Sequence, residues 1–333
     1  MANPVRYLSA SDVRASMPPI AERIALAERT MVALVADAEL PPKLAVHPRP
    51  EGSFAHAMPA ALRSRAIADS DADLLGLKWV TGFPDNRGRG LPAIHAVVLL
   101  SDALTGATRA ILDGGPITAE RTAAVSGVAI ARFGPTSDRD DVRVAIIGAG
   151  VQGHSHVAML GHVLPGAIVS VVDRHPDRAE DLARLAARTP GIGAAKASSD
   201  PKRATRDADL VITAAAFTEP GRRQAMDADW LRPDALIVAV DYATMCAASV
   251  ARDAALFVVD ERGQFLANRD AGQFDGYPDP DATLGEVILA DTTRPPGGRI
   301  VVTHLGVGLA DVVFADAIVR RAEADDLGVL LAG

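Results

Sequence analysis

VRVAIIGAGVQGHSHVAMLGHVLPGAIVSVVDR, residues 142–174, decides the fold. It runs apolar strand, glycine turn, helix, apolar strand and terminal acid, the order of a βαβ dinucleotide-binding unit. Gly148 takes the tight turn, Gly150 lacks the Cβ that would hold a pyrophosphate off the backbone, and Gly153 lets the helix pack closely on the strand. The helix N-terminus offers its unpaired N–H groups to the phosphates. Asp173 ends the second strand, where a carboxylate accepts the hydrogen bonds of an adenosine ribose diol and repels a 2′-phosphate. Arg174, beside it, carries a guanidinium able to pair with that phosphate, so the pattern favours NAD and leaves NADP open.

Composition sets the bounds around this unit. A chain of 333 residues is long for one core and suits two domains. Charged residues at 23% and hydrophobic ones at 49% fit an ordinary folded globular protein. A net charge of −8 with no basic run argues against a nucleic-acid partner. A small anionic substrate then needs local cations. The single cysteine, Cys246, excludes an intrachain disulfide and fits a reducing compartment. A small buried filler is its expected role, ahead of a nucleophile. MANPVRYLSASDV has no basic region followed by an apolar one, and no apolar run approaches the roughly 20 residues that span a bilayer. The expectation is a cytoplasmic protein without a membrane partner.

The first 40 residues read as helices, with Ser9 and Ser11 as caps and apolar residues at helical spacing over Ile20–Ala38 until Pro41 and Pro42. Strands are expected at Lys43–His47, Ser53–Met58, Gly76–Thr81, Ile94–Leu100 and Thr108–Leu112, forming a mostly antiparallel sheet. Ile117–Arg132 reads as a helix capped by Thr118, with Glu120 in its first turn. From Val142 strands alternate with helices: Arg143–Gly148, Ile168–Asp173, Asp209–Ala214, Ala235–Asp241, Ala255–Asp260 and Arg299–Thr303. Such alternation builds a parallel sheet with right-handed crossovers. The loop Gly272–Pro280 reads as merely polar, and the helix at Ala310–Ala324 is expected to return to the first domain. The fold class is therefore α/β: a Rossmann dinucleotide-binding domain over 126–303, inserted into an α+β domain made of 1–125 and 304–333.

Four charged residues interrupt apolar contexts: Lys43 after the two prolines, Lys78 within LLGLKWV, Arg121 on a helix, and Asp241 at the end of ALIVAVD. A buried charge is costly unless paired or used. Asp241 lies where ligands sit beyond the carboxyl ends of parallel strands, and the competing reading makes it a cap for the following helix. For Lys78 the competing reading is an amine snorkelling to the rim. For Lys43 and Arg121 it is a surface ion pair. His154 and His156 are two apart, which on a helix points them to different faces, so no metal site is expected.

Together the segments PPKLAV, HAMPA, GLKWV, GLPAIHAVVLLSDALTG, LDGGPITAERTAAVSG and IIGAGVQGHSH resemble the ornithine cyclodeaminase/mu-crystallin family in order and spacing, over nearly the whole chain. The resemblance implies a substrate and dimerisation domain built from both chain ends, an inserted Rossmann domain, and a homodimer. It also implies that Lys43, Lys78 and Arg121 hold the α-carboxylate of an amino or imino acid, that Met58 lines the pocket, and that Asp241 acts on the substrate nitrogen. The cofactor contacts it implies are Val151 and Gln152 at the phosphates, Arg121 and Thr122 from the other domain, and Thr213. His304, in THLGVG, stands where the family usually has serine or threonine near the nicotinamide; a proton donor and a simple filler are both open there.

Departures narrow the activity. Cyclodeaminases resemble one another in having arginine at the position of Lys43 and glutamate at that of His56, and a Asp-Cys-Pro-Gly-Lys run where this chain has Asp241-Tyr242. The expectation is therefore an NAD(P)-dependent reductase of small α-imino acids or a reversible L-amino-acid dehydrogenase, with Asp241, Lys78 and Lys43 as the catalytic set. Acid behaviour of Asp241 near neutrality is expected to need desolvation by domain closure. The alternatives are ornithine cyclodeamination with catalytic NAD and a mu-crystallin-like nucleotide-dependent binder of small ligands.

Overall fold

A computed structural model describes residues 4–63, 73–135, 141–218 and 220–332. Contacts divide the chain into two compact units, Met1–Arg121 with Gly306–Gly333, and Thr122–Leu305. The domain boundaries read from the sequence, 125/126 and 303/304, lie a few residues from these, because one unbroken helix runs through the first junction.

The first unit contains β1 (Val5–Leu8), α1 (Ala10–Ala15), α2 (Ile20–Ala36), β2 (Ala38–Glu39), β3 (Leu44–Val46), β4 (Phe54–Leu62), β5 (Leu74–Gly82), β6 (Ile94–Ser101), β7 (Thr108–Asp113) and the start of α3 (Gly114–Phe133). In the second unit follow β8 (Arg143–Ile147), α4 (Val151–Val163), β9 (Ala167–Val172), α5 (Pro176–Ala186), β10 (Ile192–Ala197), α6 (Pro201–Arg206), β11 (Leu210–Thr213), β12 (Leu236–Ala239), α7 (Ala248–Arg252), β13 (Leu256–Val259), α8 (Arg262–Asp270), β14 (Ala282–Thr283), α9 (Leu284–Leu289) and β15 (Ile300–Thr303). The chain then returns to the first unit with α10 (Gly308–Ala324) and β16 (Val329–Leu331).

The first unit is a sheet in the order β16-β1-β7-β6-β5-β4-β2, with β3 also on β4. All its pairs are antiparallel except β1 on β7. Alternation along β4, β5 and β6 turns Met58, Lys78, Val80, Ala96 and Val98 to a buried face, on which α10 lies. Gly76 allows that approach: a Cβ there would sit 2.8 Å from a methyl of Val312.

The second unit is an all-parallel sheet in the order β10-β9-β8-β11-β12-β15-β13-β14. The strand order reverses between β8 and β11, and the glycine turn after β8 lies at that reversal, where open α/β sheets bind ligands. Apart from Arg143 at the start of β8, the central strands β8, β11, β12 and β15 are buried throughout, which explains their apolar runs.

Several local expectations are corrected. Val5–Leu8 is a strand, held by pairing to β7 and β16, so long-range hydrogen bonds override the helical reading of the N-terminus. Ser9 does cap α1, in a capping box with Asp12, but Ser11 lies inside the helix. Helix α2 stops at Ala36, because Ala38 and Glu39 pair with β4. Helix α3 begins at Gly114, so Thr118 is internal and its hydroxyl donates to the Gly114 carbonyl. Glu120 lies beyond the first turn, and its partner is Arg23 of α2 rather than the helix dipole. Strands β10, β14 and β16 were not read from the sequence.

The loop Gly272–Pro280 is not merely polar: Phe274 is fully buried and Tyr277 nearly so. Phe274 stacks at 5.7 Å on Tyr242 and tilts at 4.9 Å against Phe265, while the Tyr277 hydroxyl donates to the Cys246 carbonyl at 2.6 Å. The loop is thus a plug beneath the carboxyl edge of the sheet. Phe274→Ala is expected to destabilise the protein by about 3 kcal/mol, as truncation of a fully buried ring does, read as a lower midpoint of urea unfolding.

Candidate active site

The second unit supplies a dinucleotide cradle. Gly148 has φ +111°, and a Cβ on it would lie 2.3 Å from the Ala214 carbonyl oxygen, so only glycine fits. A Cβ on Gly153 would lie 2.2 Å from the Gly148 carbonyl oxygen, which sets the close packing of α4 on the turn. At Gly150 a Cβ would meet nothing within 4 Å. That open volume lies at the N-terminus of α4, where Gly150 is the N-cap and no side chain caps the helix. These features fit a pyrophosphate that takes its bonds from backbone N–H groups.

Val151, 69% exposed, opens the helix, with Gln152 half-buried behind it. Asp173 follows β9 and ties the turn down: its carboxylate accepts from Ala149 N–H at 2.8 Å and from His175 N–H at 2.9 Å. Arg174 is exposed, with its Nε 3.2 Å from His175 Nε2.

Asp241 lies just past β12 and is 3% exposed. Its carboxylate accepts from Thr213 Oγ1 at 2.8 Å and from Ala215 N–H at 3.1 Å, which binds it to the end of the neighbouring strand β11. The helix-cap reading is overturned, because α7 starts only at Ala248 and has no side-chain cap. Burial pushes the Asp241 carboxyl up to about 7, against hydrogen bonds from Thr213 and Ala215 that pull it down. The desolvation expected from domain closure is thus already present at this residue. Tyr242, next in the chain, has φ +58°, a conformation uncommon for a residue with a side chain. Its ring is held between Phe217 at 5.2 Å and Phe274 at 5.7 Å.

His304 follows β15 and is buried, with its Nε2 2.9 Å from Ser126 Oγ. Ser126 Oγ is in turn 2.8 Å from His156 Nε2, and His156 Nδ1 is 2.6 Å from the Gln152 carbonyl oxygen. Ser126 and the inward face of His156 escaped sequence reasoning. The signal was weak: a serine in an apolar helix, and a histidine one turn after the glycine motif. His154 bonds instead to the Gly150 carbonyl, so the two histidines point to different partners. Cys246 is the expected filler, buried and with its thiol pushed up to about 12 by that burial.

In the first unit the cations converge. Lys78 is 1% exposed; its Nζ donates to Thr118 Oγ1 at 2.7 Å and to Asp311 Oδ1 at 2.8 Å. The same Asp311 oxygen accepts from Arg121 Nε at 3.4 Å. The snorkelling reading of Lys78 and the surface-pair reading of Arg121 are both overturned. Asp311 was missed, although an aspartate in the apolar run GLADVVFADAIV was its signal. Arg121 lies over Gly306, where a Cβ would be 2.3 Å from Nη1 and φ is +75°. Met58 pairs with Lys78 in register, on the face covered by α10.

Burial pulls the Lys78 ammonium down to about 8, with Arg121 and Lys43 adding to the fall and Asp311 opposing it. Lys43, half-exposed before β3, therefore contributes through its field. His56 is pushed down to about 4 by burial and by the charges of Lys43 and His47, so it is neutral near pH 7. Thr122, buried on α3, is the first residue of the second unit.

The chain is a member of the ornithine cyclodeaminase/mu-crystallin family, whose profile matches residues 10–326. It is 32% identical over 337 residues to the nodulation efficiency protein NfeD of Rhizobium meliloti, covering 99% of both chains. It is also 32% identical over 251 residues to the ketimine reductase mu-crystallin of Mus musculus, covering 74% of this chain and 75% of that one. Among solved structures, the Thermococcus litoralis Δ1-pyrroline-2-carboxylate reductase, in complex with NADH and L-proline, superposes with a TM-score of 0.81 at 25% identity, over 98% of this chain and 99% of that one. Among the described residues no helix is long and apolar enough to cross a membrane.

Thr213→Val removes a donor that favours ionised Asp241. The Asp241 carboxyl is then expected to titrate above about 7, followed through its carbon-13 carboxyl shift in NMR.

Proposed function

We propose that this chain is an NAD-dependent oxidoreductase acting on C–N bonds, reducing small α-imino acids or, in reverse, oxidising L-amino acids. The observation that carries the reading is the buried group Lys78, Arg121 and Asp311: two cations share one carboxylate and keep one positive charge for an anion. The two relatives named for ketimine and pyrroline-2-carboxylate reduction support it. The unit of 122–305 is the cofactor unit, and that of the two chain ends the substrate unit.

Lys43, Lys78 and Arg121 hold the substrate carboxylate, and Met58 sets the wall beside it. The cofactor held by the unit of 122–305 would, when bound, supply the hydride that the imine carbon needs. Asp241 gives its proton to the nitrogen as the C=N bond becomes C–N, and regains one from solvent. The cations make the carbon a better hydride acceptor by stabilising the charge that develops next to it. Val151, Gln152 and the glycine turn take the pyrophosphate, Arg121 and Thr122 add contacts, Thr213 orients Asp241, and His304 stands by the nicotinamide. Asp173 favours NAD; Arg174 is the residue through which NADP would be accepted. His56, neutral and lacking a carboxylate, offers no anion to the distal ammonium of ornithine, which disfavours cyclodeamination.

Opposite pH responses test the role of Asp241. Reduction needs the acid, so its rate is expected to fall as pH rises through about 7. Oxidation of the amino acid needs the carboxylate and should rise through the same range. Asp241→Ala is expected to abolish both while NADH still binds, followed by NADH absorbance and fluorescence; full turnover in that variant refutes the assignment.

The assembly we propose is a homodimer. On the sheet face opposite α10, Trp79 and Val97 pair in register and are 42% and 44% exposed, with Leu75 on the same face. An apolar sheet face of this kind is what a second copy covers. Trp79→Asp is expected to shift the protein to monomer in light scattering.

A further inference from the structure

Ser126 of α3, His156 of α4 and His304 after β15 form one buried hydrogen-bonded chain, and its protons can be placed one by one. The Gln152 carbonyl only accepts, so His156 Nδ1 carries a hydrogen. Burial pulls His156 down to about 4, which leaves the ring neutral and gives Nε2 a lone pair. Ser126 has one O–H and must donate it to that lone pair. Its oxygen is then an acceptor toward His304, so His304 Nε2 carries a hydrogen. The reverse order would require a buried His156 imidazolium, a charge whose desolvation no carboxylate among the described residues offsets.

The ring being oriented stands at the reaction end of the sheet. The backbone N–H of His304 donates to the Ala239 carbonyl at 3.3 Å, tying the chain there to the last residue of β12, the strand that leads to Asp241. We propose that Ser126 and His156 are positioning residues that lock His304 in its Nε2–H tautomer and one ring orientation, making Nδ1 the nitrogen that works beside the nicotinamide. This role beside the cofactor rests on the function proposed above; the tautomer does not.

The test is a long-range proton–nitrogen NMR correlation on the full chain labelled with nitrogen-15 histidine, with and without NADH. The wild type is expected to show His304 as a single Nε2–H tautomer. Ser126→Ala is expected to give a mixture, and Ser126→Thr, which keeps the hydroxyl, to restore the single form. In the same variants kcat/KM for an imino acid should fall about tenfold in Ser126→Ala, the low end of the loss seen when the hydrogen-bond partner of a metal-bound histidine is removed, and recover in Ser126→Thr. A wild-type Nδ1–H tautomer, or an unchanged tautomer in Ser126→Ala, overturns the lock, and the wild-type spectrum decides this even if the variant does not fold. A changed tautomer with unchanged turnover overturns the placement of His304 beside the nicotinamide. Absence of imino-acid turnover in the wild type would count against the proposed function, while the spectra would still decide the tautomer.

Discussion

Removing charges from water governs this molecule. A lysine, an arginine and two aspartates that are almost wholly buried must each find a partner or change protonation state. The protein uses both solutions. Lys78 and Arg121 share the one carboxylate of Asp311, which keeps the cluster together yet undercompensated. Asp241 is held by uncharged groups, Thr213 and the N–H of Ala215 among them, and drifts toward the protonated form. The same physical effect thus leaves surplus positive charge in one unit and a carboxyl that titrates near neutrality in the other.

Backbone geometry supplies the room. Gly306 lets the Arg121 guanidinium lie against the chain, and Gly308, where a Cβ would be 2.6 Å from the Met58 carbonyl oxygen, lets the start of α10 reach β4. Helix α10 thereby brings Asp311 to Lys78. In the second unit Gly148 does the equivalent for the phosphate turn. In both units a glycine removes the Cβ that would keep a charged group or a helix end at a distance.

Much of this was legible in the sequence, for reasons tied to range. The glycine motif, the apolar runs of the parallel sheet and the charged residues Lys78, Arg121 and Asp241 are signals carried by a few adjacent residues. What stayed hidden depends on residues far apart in the chain. Val5–Leu8 becomes a strand only because residues 110 and 330 pair with it. Asp311 matters because α10 returns to β5 after more than half the chain has intervened. Ser126, His156 and His304 come from three elements, and only their meeting makes a chain of hydrogen bonds. Phe274 and Tyr277 hid in a polar segment because two aromatic residues without period look like loop.

Titration of Asp241 and Lys78 sets two opposite dependences of stability on pH. The Asp241 carboxyl ordinarily titrates at 3.8 and here at about 7, so between those values the folded state holds a proton the unfolded chain has lost, and stability falls as pH rises. The Lys78 ammonium moves from 10.5 to about 8, so over that span the folded state holds fewer protons and stability rises with pH. The two windows do not overlap. Between about 7 and about 8 both groups exert their full unfavourable effect on folding. The apolar residues packed around each group carry that load: Lys78 shares its buried face with Met58, Val80 and Val98, and Asp241 follows the wholly buried strand β12.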